Sequence, residues 1–314
     1  MYGCPYGYIY NSCDTLKQLQ AEPNFSYQPG VIVQAVRETS QGVHISGCEY
    51  LTRQSRNWEC QRVFLAAGAI PTSRILLRSL EAYGETVWLK DSQYFLIPFL
   101  LLKRTPAVRK EWLHALSQVF LEIFDEADND RTAHVQMYSN NDLINEAVER
   151  PFGLFRPALD PLVHKLQDRL VVAQGFLHSD FSSRISVCLK NDANTGNERM
   201  ELEPELNPVA RAEVRRIVFK LLKQCRRLGA IPLIPMLELG EPGRSFHSGG
   251  SFPMVREPRG FQTDLLGRPP GWRRVHAVDS TVFPSIPATT ITLSVMANAH
   301  RIASEAATEE GAGC

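Results

Sequence analysis

The stretch from Arg62 to Leu80, RVFLAAGAIPTSRILLRSL, most constrains what this chain can become. A short apolar run, Arg62 to Ala67, ends in Gly68, and after Ala69, Ile70 and Pro71 an apolar-periodic run continues to Leu80. This reads as strand, small-residue turn and helix, with the helix capped at Thr72. Ahead of it, residues 31–36 (VIVQAV) and 43–50 (VHISGCEY) are β-branched and partly alternating, with Pro29-Gly30 and Gln41-Gly42 as turn signals. They read as strands of one meander. The fold class that follows is α/β, mixed with antiparallel structure.

From Thr86 to about Leu206 the texture changes. Helical runs are expected over Val108–Phe124 and Pro161–Leu170, and strands over 171–178 and 184–190, as in a second domain inserted between two parts of the first. Glu213 to Leu228 is the clearest helix, with Val214, Ile217, Val218, Leu221, Leu222 and Cys225 on one face and Arg215, Arg216, Lys220, Lys223, Arg226 and Arg227 on the other. Such a basic face can meet a membrane or a partner; the plainer reading is a solvated face over a core. A strand is expected over Ile231–Glu238, another over Arg274–Val278, a helix from about Thr290 to Ala303, and a frayed tail over 304–314.

Composition narrows the function classes. With 314 residues, 44% of them hydrophobic and 22% charged, the chain has the make-up of a soluble globular protein of two domains or one large interleaved unit. Its 34 basic and 34 acidic side chains balance, so no field favours nucleic acid. Seven scattered cysteines without a CxxC pair fit neither a zinc knuckle nor a secreted disulfide framework. No signal peptide is read at the start, and the longest apolar run, Tyr94–Leu102, is half of what a membrane helix needs. A cytoplasmic location is the expectation.

Two constellations can carry chemistry. In the first, His247 stands in a glycine-rich loop, Gly243 to Pro253, where backbone approaches a ligand closely and an imidazole takes a proton near neutral pH. The bland alternative is a surface-loop histidine. In the second, a strand delivers Asp279 at its carboxyl end, a Pro-punctuated loop follows, and Thr289-Thr290 stand where a helix N-cap would be. Free amides there would face an anionic group at the mouth of an α/β sheet, unless both residues merely cap. The acidic Asp125–Asp130 run lacks the glycine and closing glutamate of a calcium loop, and no metal site is expected. No GxSxG, HExxH, P-loop or GxGxxG occurs. Trp88, Tyr94, Trp112 and Tyr138 are too dispersed for an aromatic cage.

Three segments, in order, resemble the glucose–methanol–choline family of FAD-dependent oxidoreductases: Val63–Leu77, with its AAGA turn; His247–Met254, HSGGSFPM; and Val275–Thr290, VHAVDSTVFPSIPATT. The start, Gly3 to Ser12, is similar to the family's stretch ahead of the adenine-contacting strand. The resemblance implies a partial Rossmann-like FAD-binding domain, 1–82 and 241–306, with a substrate domain on an antiparallel sheet at 83–240 and a tail at 307–314. It implies FAD as cofactor, a small alcohol or sugar-like substrate, and an electron acceptor the residues leave open. His247 would be the base that takes the hydroxyl proton. Thr290 falls where the family has a second catalytic asparagine or histidine, and its hydroxyl can hydrogen-bond but not act as acid or base. Cofactor contacts are implied for Asn11, Ser12, Val33, Ala67, Gly68, Asp279, Ser280, Thr289 and Thr290.

The family's N-terminal GxGxxG unit is not found in this sequence, so the expectation is a fragment, or one of two chains that share a cofactor. The alternative is a truncated, cofactor-free remnant acting as a binding protein. Hydrolysis by Ser251 with His247 and Asp279 is a third reading, without a nucleophile elbow to support it.

Overall fold

Among the described residues the strands pair into four sheets, and helix-forming runs fill the connections between them. The computed structural model describes residues 4, 6–105, 108, 117, 119–125, 128–139, 164–192 and 198–311. In chain order the elements are α1 (Ser12–Gln20), β1 (Val31–Glu38), β2 (Val43–Glu49), β3 (Ser55–Cys60), β4 (Val63–Leu65), α2 (Ala69–Ser79), β5 (Thr86–Asp91) and β6 (Tyr94–Leu101). They continue with β7 (Val119–Asp125), β8 (Asp128–Tyr138), β9 (Leu170–Phe176), β10 (Arg184–Asn191), β11 (Glu198–Glu205), α3 (Ala210–Lys223) and α4 (Cys225–Leu228). The last are β12 (Ala230–Pro232), β13 (Glu238–Leu239), β14 (Ser248–Gly249), β15 (Val275–Ala277) and α5 (Thr292–Gly311). The chain divides into two compact units: residues 1–28, 94–176 and 211–240, and residues 29–93, 177–210 and 241–314.

The first unit is built on an antiparallel sheet in the order β12-β6-β9-β8-β7, with β13 also on β6. Alternation decides its two faces. Phe95, Ile97, Phe99, Val135 and Ala173 are fully or almost fully buried on one. On the other, Glu122 stands directly across from His134 and bonds its Nδ1. Gln136 Nε2 lies 3.2 Å from His134 Nε2, and the Tyr138 hydroxyl donates to Gln136 Oε1 at 2.6 Å. Burial pushes the Tyr138 phenol up. Helix α3 buries Val214, Ile217, Val218 and Leu221 as its period requires, and Lys220 reaches the Phe124 carbonyl at 2.8 Å.

The second unit holds the meander β1-β2-β3, the antiparallel sheet β11-β10-β5-β14 and a parallel pair, β4 with β15. Their apolar faces meet in one cluster that includes Val36, Leu65, Leu76, Leu89, Val187, Phe252, Val275 and Ile286. Helix α2 lies against β1, and Ser79 Oγ accepts the Val36 N–H at 2.8 Å.

Several expectations are corrected. Within Val108–Phe124, residues 119–125 form strand β7, because VFLEIFD is rich in bulky β-formers and β8 offers it a partner. Residues 109–116 of that run, Trp112 included, lie outside the described residues, as do 161–163 of the second helical run. Only 164–167 of the latter are helical before β9 begins at Leu170. The strand at 231–238 is broken into β12 and β13 by a 3-10 turn at Ile234–Met236, since Pro232 and Pro235 cannot donate ladder bonds. The tail is not frayed at 304–311. These residues extend α5, with Ala306 fully buried and Glu309 paired to Arg268 at 2.9 Å. Helix α1 was not anticipated. Among the described residues no helix is long and apolar enough to cross a membrane, and no group of His, Cys, Asp and Glu gathers to hold a metal ion.

One buried side chain links the parallel pair to pH. His276 in β15 is fully buried, bonds the Leu266 carbonyl through Nδ1 at 2.8 Å and stacks on Phe64. Burial pushes its pKa below 6.5, the Leu266 carbonyl opposing. The unfolded chain therefore binds this proton at a higher pH than the native state. Stability is held above about pH 6.5 and lost as pH falls toward the depressed value, by up to about 1.4 kcal/mol per pH unit. His276→Phe should flatten that acid limb when urea unfolding is compared at pH 7 and pH 5. An unaltered slope would assign the acid sensitivity to other groups.

Candidate active site

The three segments singled out in the sequence meet in the second unit. Strand β4 ends at Leu65, the chain turns through Ala67 and Gly68, and α2 starts at Ala69, three residues before the expected cap. Pro71 is tolerated there because a first-turn residue has no intrahelical acceptor for an N–H. Gly68 adopts φ +94°, a region glycine enters without strain, and an added Cβ would find nothing closer than Pro71 Cδ at 4.0 Å. Thr72 is thus inside the helix rather than its cap. Its N–H closes on the Gly68 carbonyl at 2.8 Å, its hydroxyl accepts the Ala67 N–H at 3.1 Å, and the hydroxyl proton is left for another partner.

That partner is Asp279, almost fully buried at the end of β15. Asp279 Oδ2 accepts from the Thr72 hydroxyl at 2.5 Å and from the Gly68 N–H at 2.9 Å, while Oδ1 accepts from the Thr281 N–H at 2.9 Å. One carboxylate thereby ties the AAGA turn to the closing segment across more than 200 residues. The next residue ties in the histidine loop. Ser280 Oγ donates to the Ser248 carbonyl at 2.7 Å, and its own carbonyl accepts the Gly250 N–H at 2.9 Å. Phe252 and Met254 continue the ladder onto Thr281 and Val282. The two glycines after His247 are needed for this approach: a Cβ on Gly249 would lie 2.2 Å from the Ser280 carbonyl oxygen, and one on Gly250 2.8 Å from that of Phe283.

His247 is half-buried at the head of this ladder. Ser251, by contrast, is buried and pairs its hydroxyl with that of Ser73 at 2.6 Å, so it is no exposed nucleophile beside His247. Thr289 is half-buried and Thr290 exposed. Neither caps α5: Ile291 does, its carbonyl accepting the Val295 N–H at 2.9 Å. The helix starts two residues later than expected because Ile291 is drawn into the core. Asn11 and Ser12 belong to the first unit, where Asn11 caps α1 by accepting the Cys13 N–H at 2.9 Å and Ser12 opens the helix.

Val33 and Ala67 share a cleft of about 320 Å³ with Val31, Ile32, Gln34, Pro71, Arg74 and Ile75. A register shift between Val33 and Ala35 marks a bulge in β1 at this wall, a device that re-aims local side chains. The walls are apolar except for Gln34 and Arg74. Asp91, which hangs the histidine loop from β5, was not found by sequence reasoning. It lies more than 150 residues from the loop it holds, and nothing local marks it.

No family model matches this chain, and no curated protein does. Solved structures do. One is pyridoxine 4-oxidase from Mesorbium loti, with a TM-score of 0.60, 16% identity, and 92% of this chain and 59% of that one covered. Another is an FAD-dependent oxidoreductase from Chaetomium thermophilum, with a TM-score of 0.54, 13% identity, and 94% and 63% covered. The chain thus spans about three fifths of the length of these proteins. At such identities the likeness speaks for architecture: this chain has the mixed α/β fold, with several antiparallel sheets, of FAD-dependent oxidoreductases.

Proposed function

We propose that this chain serves an FAD-dependent oxidoreductase of the glucose–methanol–choline type, acting on the CH–OH group of an alcohol or sugar-like substrate. The observation that carries the reading is the Asp279–Ser280 knot, which draws the AAGA turn, the His247 loop and the closing segment into one place. The solved neighbours named for FAD and for oxidation of pyridoxine, itself an alcohol, support the class.

The residues present fit part of the cofactor. The cleft along β1 has the volume and apolar walls for a heteroaromatic group, with Val33 and Gln34 on one side and Ala67 on the other. The open side of Gly68 leaves room for a ligand against bare backbone. The GxGxxG unit that holds the pyrophosphate in that family would come from an adjoining segment or from a separate chain. When bound, the flavin supplies a two-electron acceptor.

The chain's own part is proton handling and positioning. His247 takes the hydroxyl proton as the C–H bond of the alcohol gives its electron pair to the acceptor, and the glycine turns fix the loop that carries the imidazole. The Thr290 hydroxyl orients a substrate or cofactor oxygen but carries no proton away at neutral pH.

The purified chain should quench FAD fluorescence saturably, ADP should compete, and Ala67→Trp, which fills the cleft, should weaken FAD at least about tenfold, a difference of about 1.4 kcal/mol. Colourless protein that FAD does not reconstitute, with or without a GxGxxG partner, would favour a cofactor-free binding module instead.

A further inference from the structure

The His247 loop is anchored on one corner of the second unit, where β5 ends. Gly243 N–H donates to Asp91 Oδ2 at 3.0 Å, and the Ser245 hydroxyl donates to the Ser92 carbonyl at 2.5 Å. Ser92 N–H returns a bond to the His247 carbonyl at 3.0 Å, and the His247 N–H reaches Ser245 Oγ at 3.2 Å. Directly after the histidine, β14 sets Ser248 opposite Asp91 and Gly249 opposite Lys90. The main chain of His247 is therefore held by Ser92 at its carbonyl and by Ser245, itself bonded to Ser92, at its N–H.

Asp91 is an expensive residue for this place. It is fully buried, and its Oδ1 has no hydrogen-bond partner. Burial pushes the carboxyl above its ordinary range, while the Gly243 N–H and Ser245 hydroxyl pull the other way. A carboxyl carried at such a cost needs a compensating role. Here it answers the N–H of Gly243, a residue at φ +80° whose turn starts the histidine loop.

We propose that Asp91 is a positioning residue for His247: its carboxyl fixes the Gly243 turn and so the direction from which the imidazole enters the site. The proposal rests on the reading of His247 as base, and its test separates the two. Asp91→Ala removes the acceptor, whereas Asp91→Asn keeps an oxygen for Gly243. The first readout needs no cofactor: amide exchange and the ring signals of 15N-labelled histidine in the full chain.

Asp91→Ala should speed exchange at Ser92 and Gly243 at least about tenfold and move the His247 ring signals, with the β1–β2 amides unchanged. Asp91→Asn should stay within about threefold of the parent at every site. In flavin-loaded protein the alanine variant should lower kcat about 10- to 100-fold at unchanged flavin content, and asparagine should restore it. The proposal falls if alanine leaves Ser92, Gly243 and His247 as in the parent. It falls equally if the asparagine variant moves them beyond that threefold limit, which decides the matter should the alanine chain not fold. If His247→Ala retains full flavin reduction while the exchange results hold, the base assignment fails and Asp91 stands as the loop's anchor.

Discussion

His247→Ala is expected to slow substrate-driven flavin reduction by about 10²- to 10⁴-fold while bound flavin stays at the level of the parent. Two features of the structure lead to this split. The imidazole stands on a loop whose main chain is fixed by Ser92, Ser245 and Ser280, so removing the ring leaves the loop in place. The cleft at Val33 and Ala67 is lined by β1, the turn after β4 and α2, none of it by the histidine loop. Stopped-flow reduction under anaerobic conditions, beside a flavin spectrum of the denatured protein, measures the two quantities separately. A variant that reduces flavin as fast as the parent would remove His247 from the chemistry. One that loses flavin along with the rate would make it a structural residue. The hydrolytic alternative has little to stand on, since the Ser251 hydroxyl is turned to Ser73 and Asp279 is occupied by three other donors.

How much of this was legible in the sequence depends on how local each signal was. The first two strands of the meander, β4 with its small-residue turn, β9, β10 and β15 were readable because period and turn chemistry sit within a few residues of each strand, whereas β3, polar along SRNWEC, was not. The three motif segments were readable in order, and their convergence followed from the resemblance they carry. Where the outcome hangs on a remote partner, local signals misled. Val119–Asp125 has an apolar run that suits a helix or a strand, and β8 decided it. Thr72 has the chemistry of a cap, but Gly68 let the helix begin earlier and freed the hydroxyl for Asp279. The small, acidic end of α5 looked like a loose tail until Arg268 and the burial of Ala306 gave it a place. Asp91 had no local signal at all, for its partner Gly243 is set beside it only by β5 and β14.

Asp279→Ala should strongly destabilise the second unit. The carboxylate satisfies two backbone N–H groups and one hydroxyl, and alanine leaves two of these donors, the buried Thr72 hydroxyl and Thr281 N–H, without their acceptor. Bonds to a charged acceptor contribute about 1.5–3 kcal/mol each, and water entering the void recovers part, so a loss of about 3–5 kcal/mol is expected. For a unit of this size that corresponds to a fall in Tm on the order of 10 °C. Asp279→Asn keeps one oxygen acceptor and turns an amide donor toward the other N–H, so roughly half of that loss is expected. Flavin affinity distinguishes how the residue serves the site. If Asp279 acts by holding the Gly68 turn, FAD affinity and Tm fall together across Asn and Ala. If its carboxylate met the cofactor directly, Asn would weaken FAD far more than it lowers Tm. The geometry favours the first outcome, because both carboxylate oxygens are already taken by the chain itself. An alanine variant within about 2 °C of the parent Tm, less than 1 kcal/mol on this scale, would mean the knot holds nothing together.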